Sequence, residues 1–379
     1  MEVSTELDTP PAPLPPVPVT AQDAAAEADE VRIVLTRHHH RMIAAGIPYR
    51  DWDELRGRDP GTWREWFGYW TALGADYEAR ATAARAAGHG PTAAGHLVTG
   101  SLCYQFAQFM LYRHPTAKRY AERRRSELYS QALPLCQPEA RRIEVAVDGL
   151  RVPVVLRRPA AAAGRVPAVL IVPGLEATKE EMHNWEVFFL ERGIAAAAMD
   201  GPGQGELSAV PLDPARYAAA ARAVARALRH DPGLRPERIG IIGVSLGGML
   251  ASMAAVGGDF TAAAEVCGSF DTASRWARAN ALTRAGHRHV TQSATEDELL
   301  NHIRSWTMKD LAAGIKCPFL IVHGENDPIV PLDQATMYRD HVPQAELVVM
   351  AGANHVCNNI ANIARPMIAD WFRDQFGAT

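Results

Sequence analysis

Arg238-Ile239-Gly240-Ile241-Ile242-Gly243-Val244-Ser245-Leu246-Gly247-Gly248-Met249-Leu250-Ala251-Ser252 decides the reading of this chain. A short β-branched run ends in Gly-x-Ser-x-Gly, and an apolar, Ala-rich helical pattern follows at once. Strand, sharp turn and helix are the context that a nucleophile elbow requires. Gly243 and Gly247 remove Cβ atoms where strand and helix nearly collide, and Ser245 stands at the tip. The backbone N–H of Leu246 opens the helix and points the same way, so it can hold a developing oxyanion.

Two downstream segments supply what a serine needs. Phe319–Val322 reads as a buried strand and runs into Gly324-Glu325-Asn326-Asp327-Pro328. Leu347–Met350 reads as the next strand, and its loop carries Asn354-His355. A serine hydroxyl is a poor nucleophile until a base takes its proton, and the base needs an acid to fix its tautomer. Ser245, then Asp327, then His355, each just past a strand, is the chain order of an α/β-hydrolase. Asp271, after the strand that follows the elbow, is the rival position for the acid.

Around these strands the texture is α/β. Arg142–Val147 and Leu150–Arg157, joined by Asp148-Gly149, read as a hairpin. Ala168–Val172, Ile194–Met199, Ile239–Val244, Ala263–Val266, Phe319–Val322 and Leu347–Met350 are apolar runs separated by helical stretches. The expected fold is therefore a mostly parallel, doubly wound sheet opened by an antiparallel hairpin. Residues 270–316 are too long for a crossover and carry Trp276, His287, His289 and Trp306; they read as a lid insertion. Ile360–Phe376 reads as the closing helix.

The loop after Ala168–Val172 is Pro173-Gly174-Leu175-Glu176-Ala177-Thr178-Lys179-Glu180-Glu181. In an α/β-hydrolase this loop supplies the second oxyanion donor. Leu175 is the candidate, with Glu176 the nearest rival, and Thr178 to Glu181 read as capping the following helix. Asp200-Gly201-Pro202-Gly203-Gln204-Gly205-Glu206 lacks the spacing and the Lys-Ser/Thr of a phosphate loop, so it reads as the floor beneath the nucleophile.

Upstream the pattern is helical. Residues 1 to about 20 are Pro-rich and read as a disordered tail. Residues 21–137 read as an N-terminal helical cap, and 138–379 as the catalytic domain. Trp63, Trp66, Phe67, Trp70, Leu73 and Tyr77 recur at helical spacing, and a second helix runs through Leu102 and Tyr112 to His114-Pro115. The consecutive His38, His39 and His40 point around a helix rather than to one side, which reads as a solvated face and not a metal site. Arg123, Arg124 and Arg125 read as a solvated face as well. The aromatic surface of Trp63–Tyr77 and Leu102–Tyr112 suggests a roof over Ser245.

Composition narrows the classes. A 47% hydrophobic, 22% charged chain with net charge −4 offers no case for nucleic acid or an anionic membrane. The 5 cysteines have no metal-ligand spacing and suit a reducing cytoplasm, and no apolar run approaches a membrane span.

Taken together, the Pro173–Glu181 loop, the Asp200–Glu206 loop, Gly243-Val244-Ser245-Leu246-Gly247-Gly248, Gly324–Pro328 and Asn354-His355, behind a helical N-terminal region, resemble the dihydroxypseudooxynicotine hydrolase group of α/β-hydrolases. That group is similar to fungal polyketide-shortening hydrolases and, more distantly, to fermentation–respiration switch esterases. The resemblance implies a triad of Ser245, Asp327 and His355, an oxyanion hole at Leu246 and Leu175, no metal, no cofactor and often a dimer. It implies carbon–carbon bond hydrolysis next to a ketone, on a small aromatic or polyketide-like substrate. Ester or thioester hydrolysis, acyl transfer or cyclisation, and a non-catalytic receptor are the alternatives. The chain departs from the group at Pro173 and Ala177, and it has no carboxylate between Asp271 and Glu296, so the substrate does not transfer with the fold.

Overall fold

The computed structural model describes residues 21–137, 139–160, 162 and 164–377. The Pro-rich segment 1–20 lies outside the described residues. The chain divides into two compact units, 1–138 and 139–379. Among the described residues no helix is long and apolar enough to cross a membrane.

The first unit is helical: α1 (Ala21–Arg37), α2 (His39–Ala45), α3 (Tyr49–Arg58), α4 (Trp63–Ala86), α5 (Gly90–Gln108) and α6 (Pro115–Cys136). Thr62 and Glu65 start α4 with a reciprocal capping box. Trp66, Phe67 and Trp70 are buried, and Trp66 Nε1 donates to Phe106 O at 2.7 Å, so the aromatic stripe packs on its own unit. Two expectations change here. The second helix ends at Gln108, because Met110 takes a φ of 57° and Pro115 opens a new helix. Arg125 is not solvated: it is 1% exposed and donates to Gln105 Oε1 at 3.1 Å, while Arg124 pairs with Glu78. The three histidines are half-buried, with His39 stacked on Trp52 and His38 edge-on to Phe109.

The second unit holds β1 (Arg141–Val147), β2 (Leu150–Arg157), β3 (Val166–Val172), α7 (His183–Leu190), β4 (Ala195–Met199), α8 (Pro214–Arg229), β5 (Leu234–Val244), α9 (Leu246–Ala255) and β6 (Ala263–Val266). Then follow α10 (Thr272–Arg275), α11 (Ala281–Thr291), α12 (Glu296–Ser305), β7 (Phe319–Gly324), α13 (Leu332–His341), β8 (Ala345–Met350) and α14 (Ala361–Gln375). The strands form one sheet in the order β1-β2-β4-β3-β5-β6-β7-β8. Among the described residues β1–β2 and β2–β4 pair antiparallel, and the other neighbours run parallel. Asp148 and Gly149 both take positive φ, which closes the β1–β2 hairpin in two residues.

Alternation along the strands feeds two cores. Ala168, Leu170 and Val172 of β3 face the layer with α8, α9 and α13, which also receives Trp276 and Trp306 of the insertion. Val169 and Ile171 face Trp185 and Phe189 of α7 and Phe372 of α14. Both faces are covered, which is why the strands read as continuous apolar runs. The loops after β3, β5, β6, β7 and β8 consequently gather at one edge of the sheet.

Candidate active site

The elbow is held by contact between backbones. A Cβ on Gly243 would lie 1.9 Å from Gly247 O, and one on Gly247 would lie 2.3 Å from both Val172 O and Pro173 O. Ser245 itself sits at φ 56°, ψ −124°, a region that non-glycine residues rarely occupy and that costs about 1–3 kcal/mol. Its N–H donates to Val266 O (2.8 Å) and its carbonyl accepts from Gly248 N–H (2.9 Å), so the surrounding strands over-determine the strained turn.

The structure brings Ser245, His355 and Asp327 together. His355 Nε2 lies 2.8 Å from Ser245 Oγ, and Nδ1 lies 2.6 Å from Asp327 Oδ2. A carboxylate only accepts, so Nδ1 carries a proton, and in the neutral imidazole the Nε2 lone pair faces the hydroxyl. Asp327 Oδ1 accepts from the N–H groups of Ile329 (2.8 Å) and Val330 (2.9 Å). Burial works to raise the Asp327 pKa, yet His355 and these donors hold it below the usual carboxylate value. Burial likewise opposes charge on His355, and Asp327 overcomes it and raises the imidazole to about 9. The pair therefore favours the imidazolium form of His355. The rival acid, Asp271, points elsewhere: it caps α10 and pairs with Lys309 at 2.6 Å.

Sequence reasoning missed what pins the histidine loop. Asn354 N–H donates to Asn359 Oδ1 (2.9 Å), and Asn359 N–H returns a bond to Asn354 Oδ1 (3.2 Å). Val356 N–H donates to Cys267 Sγ at 3.1 Å, and burial keeps the Cys267 thiol well above its ordinary pKa. Cys357 is buried packing.

The loop after β3 passes beside Ser245. A Cβ on Gly174 would lie 3.2 Å from Ser245 Cβ. Leu175 and Glu176 are the middle of a turn in which Ala177 N–H donates to Gly174 O at 3.2 Å. Leu246 is the first residue of α9, so its N–H has no acceptor within the helix. Gln204, also missed, holds this loop by its carbonyls. Its Nε2 donates to Pro173 O (2.9 Å) and Gly174 O (2.7 Å), and its Oε1 accepts from Tyr217 O–H (2.6 Å).

Thr178 to Glu181 do not cap α7, whose N-cap residue, Met182, makes no side-chain cap. They are buried instead. Lys179 Nζ meets Glu180 at 2.5 Å, Asp200 at 2.7 Å and Glu206 at 2.8 Å, and its N–H donates to Asp200 Oδ1 at 2.8 Å. The carboxylates of Glu180, Asp200 and Glu206 lie close enough to share a cation, and the lysine ammonium is a cation they meet.

An eight-stranded, mostly parallel sheet with a serine elbow and this edge of loops defines a hydrolase of the α/β-hydrolase fold. The prolyl oligopeptidase family matches residues 181–379. The chain is 35% identical over 337 residues to 2,6-dihydropseudooxynicotine hydrolase of Paenarthrobacter nicotinovorans, which covers 88% of this chain and 90% of that protein. A crystal structure of 2,6-dihydroxy-pseudo-oxynicotine hydrolase superposes with a TM-score of 0.82 at 33% identity, covering 89% of this chain and 96% of that one. Esterase FrsA of Photobacterium profundum is 23% identical over 79% of this chain and 73% of its own length. The chain belongs to the prolyl oligopeptidase family and, within it, to the group of 2,6-dihydropseudooxynicotine hydrolase.

Proposed function

We propose that this hydrolase acts through Ser245, His355 and Asp327 on a ketone-bearing small molecule and breaks the carbon–carbon bond next to the carbonyl. The observation that carries the reading is the unbroken hydrogen-bond chain from Asp327 through His355 to a serine on a strained elbow. Ser245 Oγ attacks the carbonyl carbon as His355 Nε2 takes its proton, and the N–H groups of Leu246 and Leu175 hold the oxyanion. The carbon–carbon bond then breaks, its electron pair moves into a second carbonyl, β to the first in the substrate, to leave as an enolate, and His355 protonates that carbon. Water, deprotonated by His355, cleaves the acyl-enzyme and restores Ser245.

The bond assignment leans on the similarity to 2,6-dihydropseudooxynicotine hydrolase across most of both chains. An ester runs through the same steps with an alkoxide as the leaving group, and the likeness to esterase FrsA keeps that reading alive. In either case the partner is a small molecule. A fluorophosphonate probe should label the protein and fail to label Ser245→Ala. Equal labelling of both proteins refutes the nucleophile.

A further inference from the structure

The segment after β6 leaves the sheet beside the elbow, because Val266 pairs in register with Val244. It closes within nine residues on Arg275, the last residue of α10. Arg275 is 8% exposed, and its Nε donates to Ser269 Oγ at 2.5 Å. Among the described residues no carboxylate lies within ion-pairing distance of it, and no aromatic ring stacks under it. The other buried cations of this unit are served differently. Arg157 meets Glu186 at 2.8 Å, Lys179 meets three carboxylates, and Arg365 lies over the Trp185 ring.

A buried guanidinium without an acid is costly, since its lost hydration is returned only by a charge partner or hydrogen bonds. Burial accordingly lowers the Arg275 pKa to about 10, with Asp327 of the triad near enough to oppose the shift. The neighbouring residues are short of partners too. His287 stands between Trp276 and Trp306, at ring separations of 5.1 and 5.4 Å. His287 Nδ1 bonds Thr283 O, and the Nε2 lone pair and both indole N–H groups are buried without a partner. Buried polar groups in native proteins are nearly always satisfied, so such a cluster at the edge that carries the triad points to a ligand.

We propose that Arg275 anchors a planar oxyanion of the substrate, a carboxylate or an ionised phenol, against the Trp276 and Trp306 side of the insertion. The guanidinium fork matches either group, and the indoles suit the aromatic ring that carries it. Arg275 thus stands in a stretch where the chain has no carboxylate, and it selects a substrate of opposite charge to one that an acid would bind.

The inference rests on Ser245 being the nucleophile, and its test reads that residue directly. The rate of fluorophosphonate labelling is followed with benzoate or its neutral counterpart benzamide, and with 4-nitrophenolate or 4-nitroanisole. We expect at least one of the two anions to slow labelling about tenfold at a concentration where its neutral counterpart does nothing. Which anion protects tells carboxylate from phenol. Measured against its own rate without added ligand, Arg275→Met should lose the protection, while Arg275→Lys keeps part of it. Equal protection by anion and neutral counterpart in the parent overturns the proposal, as does undiminished protection in Arg275→Met. Should Arg275→Met not fold, the parent and Arg275→Lys decide. A parent that does not label at all refutes the nucleophile, a result distinct from labelling without protection.

Discussion

The turn at Ser245 and the loop at Pro173–Glu181 meet at the same point, yet they are held in opposite ways. The elbow is fixed by backbones in contact, with Gly243, Gly247 and Gly248 supplying the room within six residues. The Pro173–Glu181 loop is fixed by side chains reaching from elsewhere: Gln204 from 31 residues away to Pro173, and Asp200 from 21 residues away to Lys179. Steric fixation needs small residues at set spacing and therefore leaves a motif. Polar tethering needs only that distant donors and acceptors arrive together, and it leaves no local pattern. A site can thus be half legible even though both halves are equally ordered.

The junction itself offers the largest effect. Gly247→Ala places a methyl 2.3 Å from the carbonyls of Val172 and Pro173, which are backbone and cannot step aside. We expect a loss of about 3 kcal/mol of stability and at least about a thousandfold in turnover, because elbow and loop move apart together. Thermal unfolding and hydrolysis of a p-nitrophenyl ester measure both. A variant that keeps the parent's melting temperature would mean that the close approach is not what sets the elbow.

Gln204→Leu isolates the tether. It frees the carbonyls of Pro173 and Gly174 and leaves Tyr217 O–H without its acceptor, while the elbow keeps its glycines. Turnover should fall about a hundredfold, the range for a lost or misplaced oxyanion donor, with KM nearly unchanged. If kcat stays within twofold of the parent, the loop holds its shape without Gln204 and the contrast between the two loops collapses.

The same distinction explains where the sequence was readable. Strand periodicity, Asp148-Gly149 and the order Ser245, Asp327, His355 are local signals, and the sheet and the hydrogen-bonded trio follow from them. Lys179 looked like helix-end charge, and only the folded chain brings it against Asp200 and Glu206. Arg125 looked like one of three solvated arginines, since burial of one among them depends on which face α5 covers. The early end of α5 at Gln108 carries no glycine or proline, only a methionine at positive φ. Arg275 gave no signal at all, because the lack of a partner is a property of space and not of sequence.

The smallest expected effect on turnover lies under the elbow, at Glu265 of β6. This side chain is fully buried against the first turn of α9, where a Cβ on Gly248 would come within 3.1 Å of Oε2. Oε2 accepts from Gly268 N–H at 2.5 Å, and Oε1 has no partner. Burial raises its pKa to about 8; the Gly268 N–H works against the shift and Asp327 adds to it. Glu265 is therefore neutral in the folded protein at pH 7 and ionised in the unfolded chain. A folded pKa above the unfolded one gives stability that is fully present below about pH 4.3 and is lost as pH rises to about 8. Glu265→Gln keeps the shape and removes the proton, so the loss should disappear. Turnover at neutral pH should stay within about twofold. The variant should gain on the parent in melting temperature as pH rises from 5 to 8, by no more than about 5 kcal/mol in free energy. If the two melting curves run parallel across that window, Glu265 is ionised in the folded state, and the elbow rests on a charge rather than on a neutral acid.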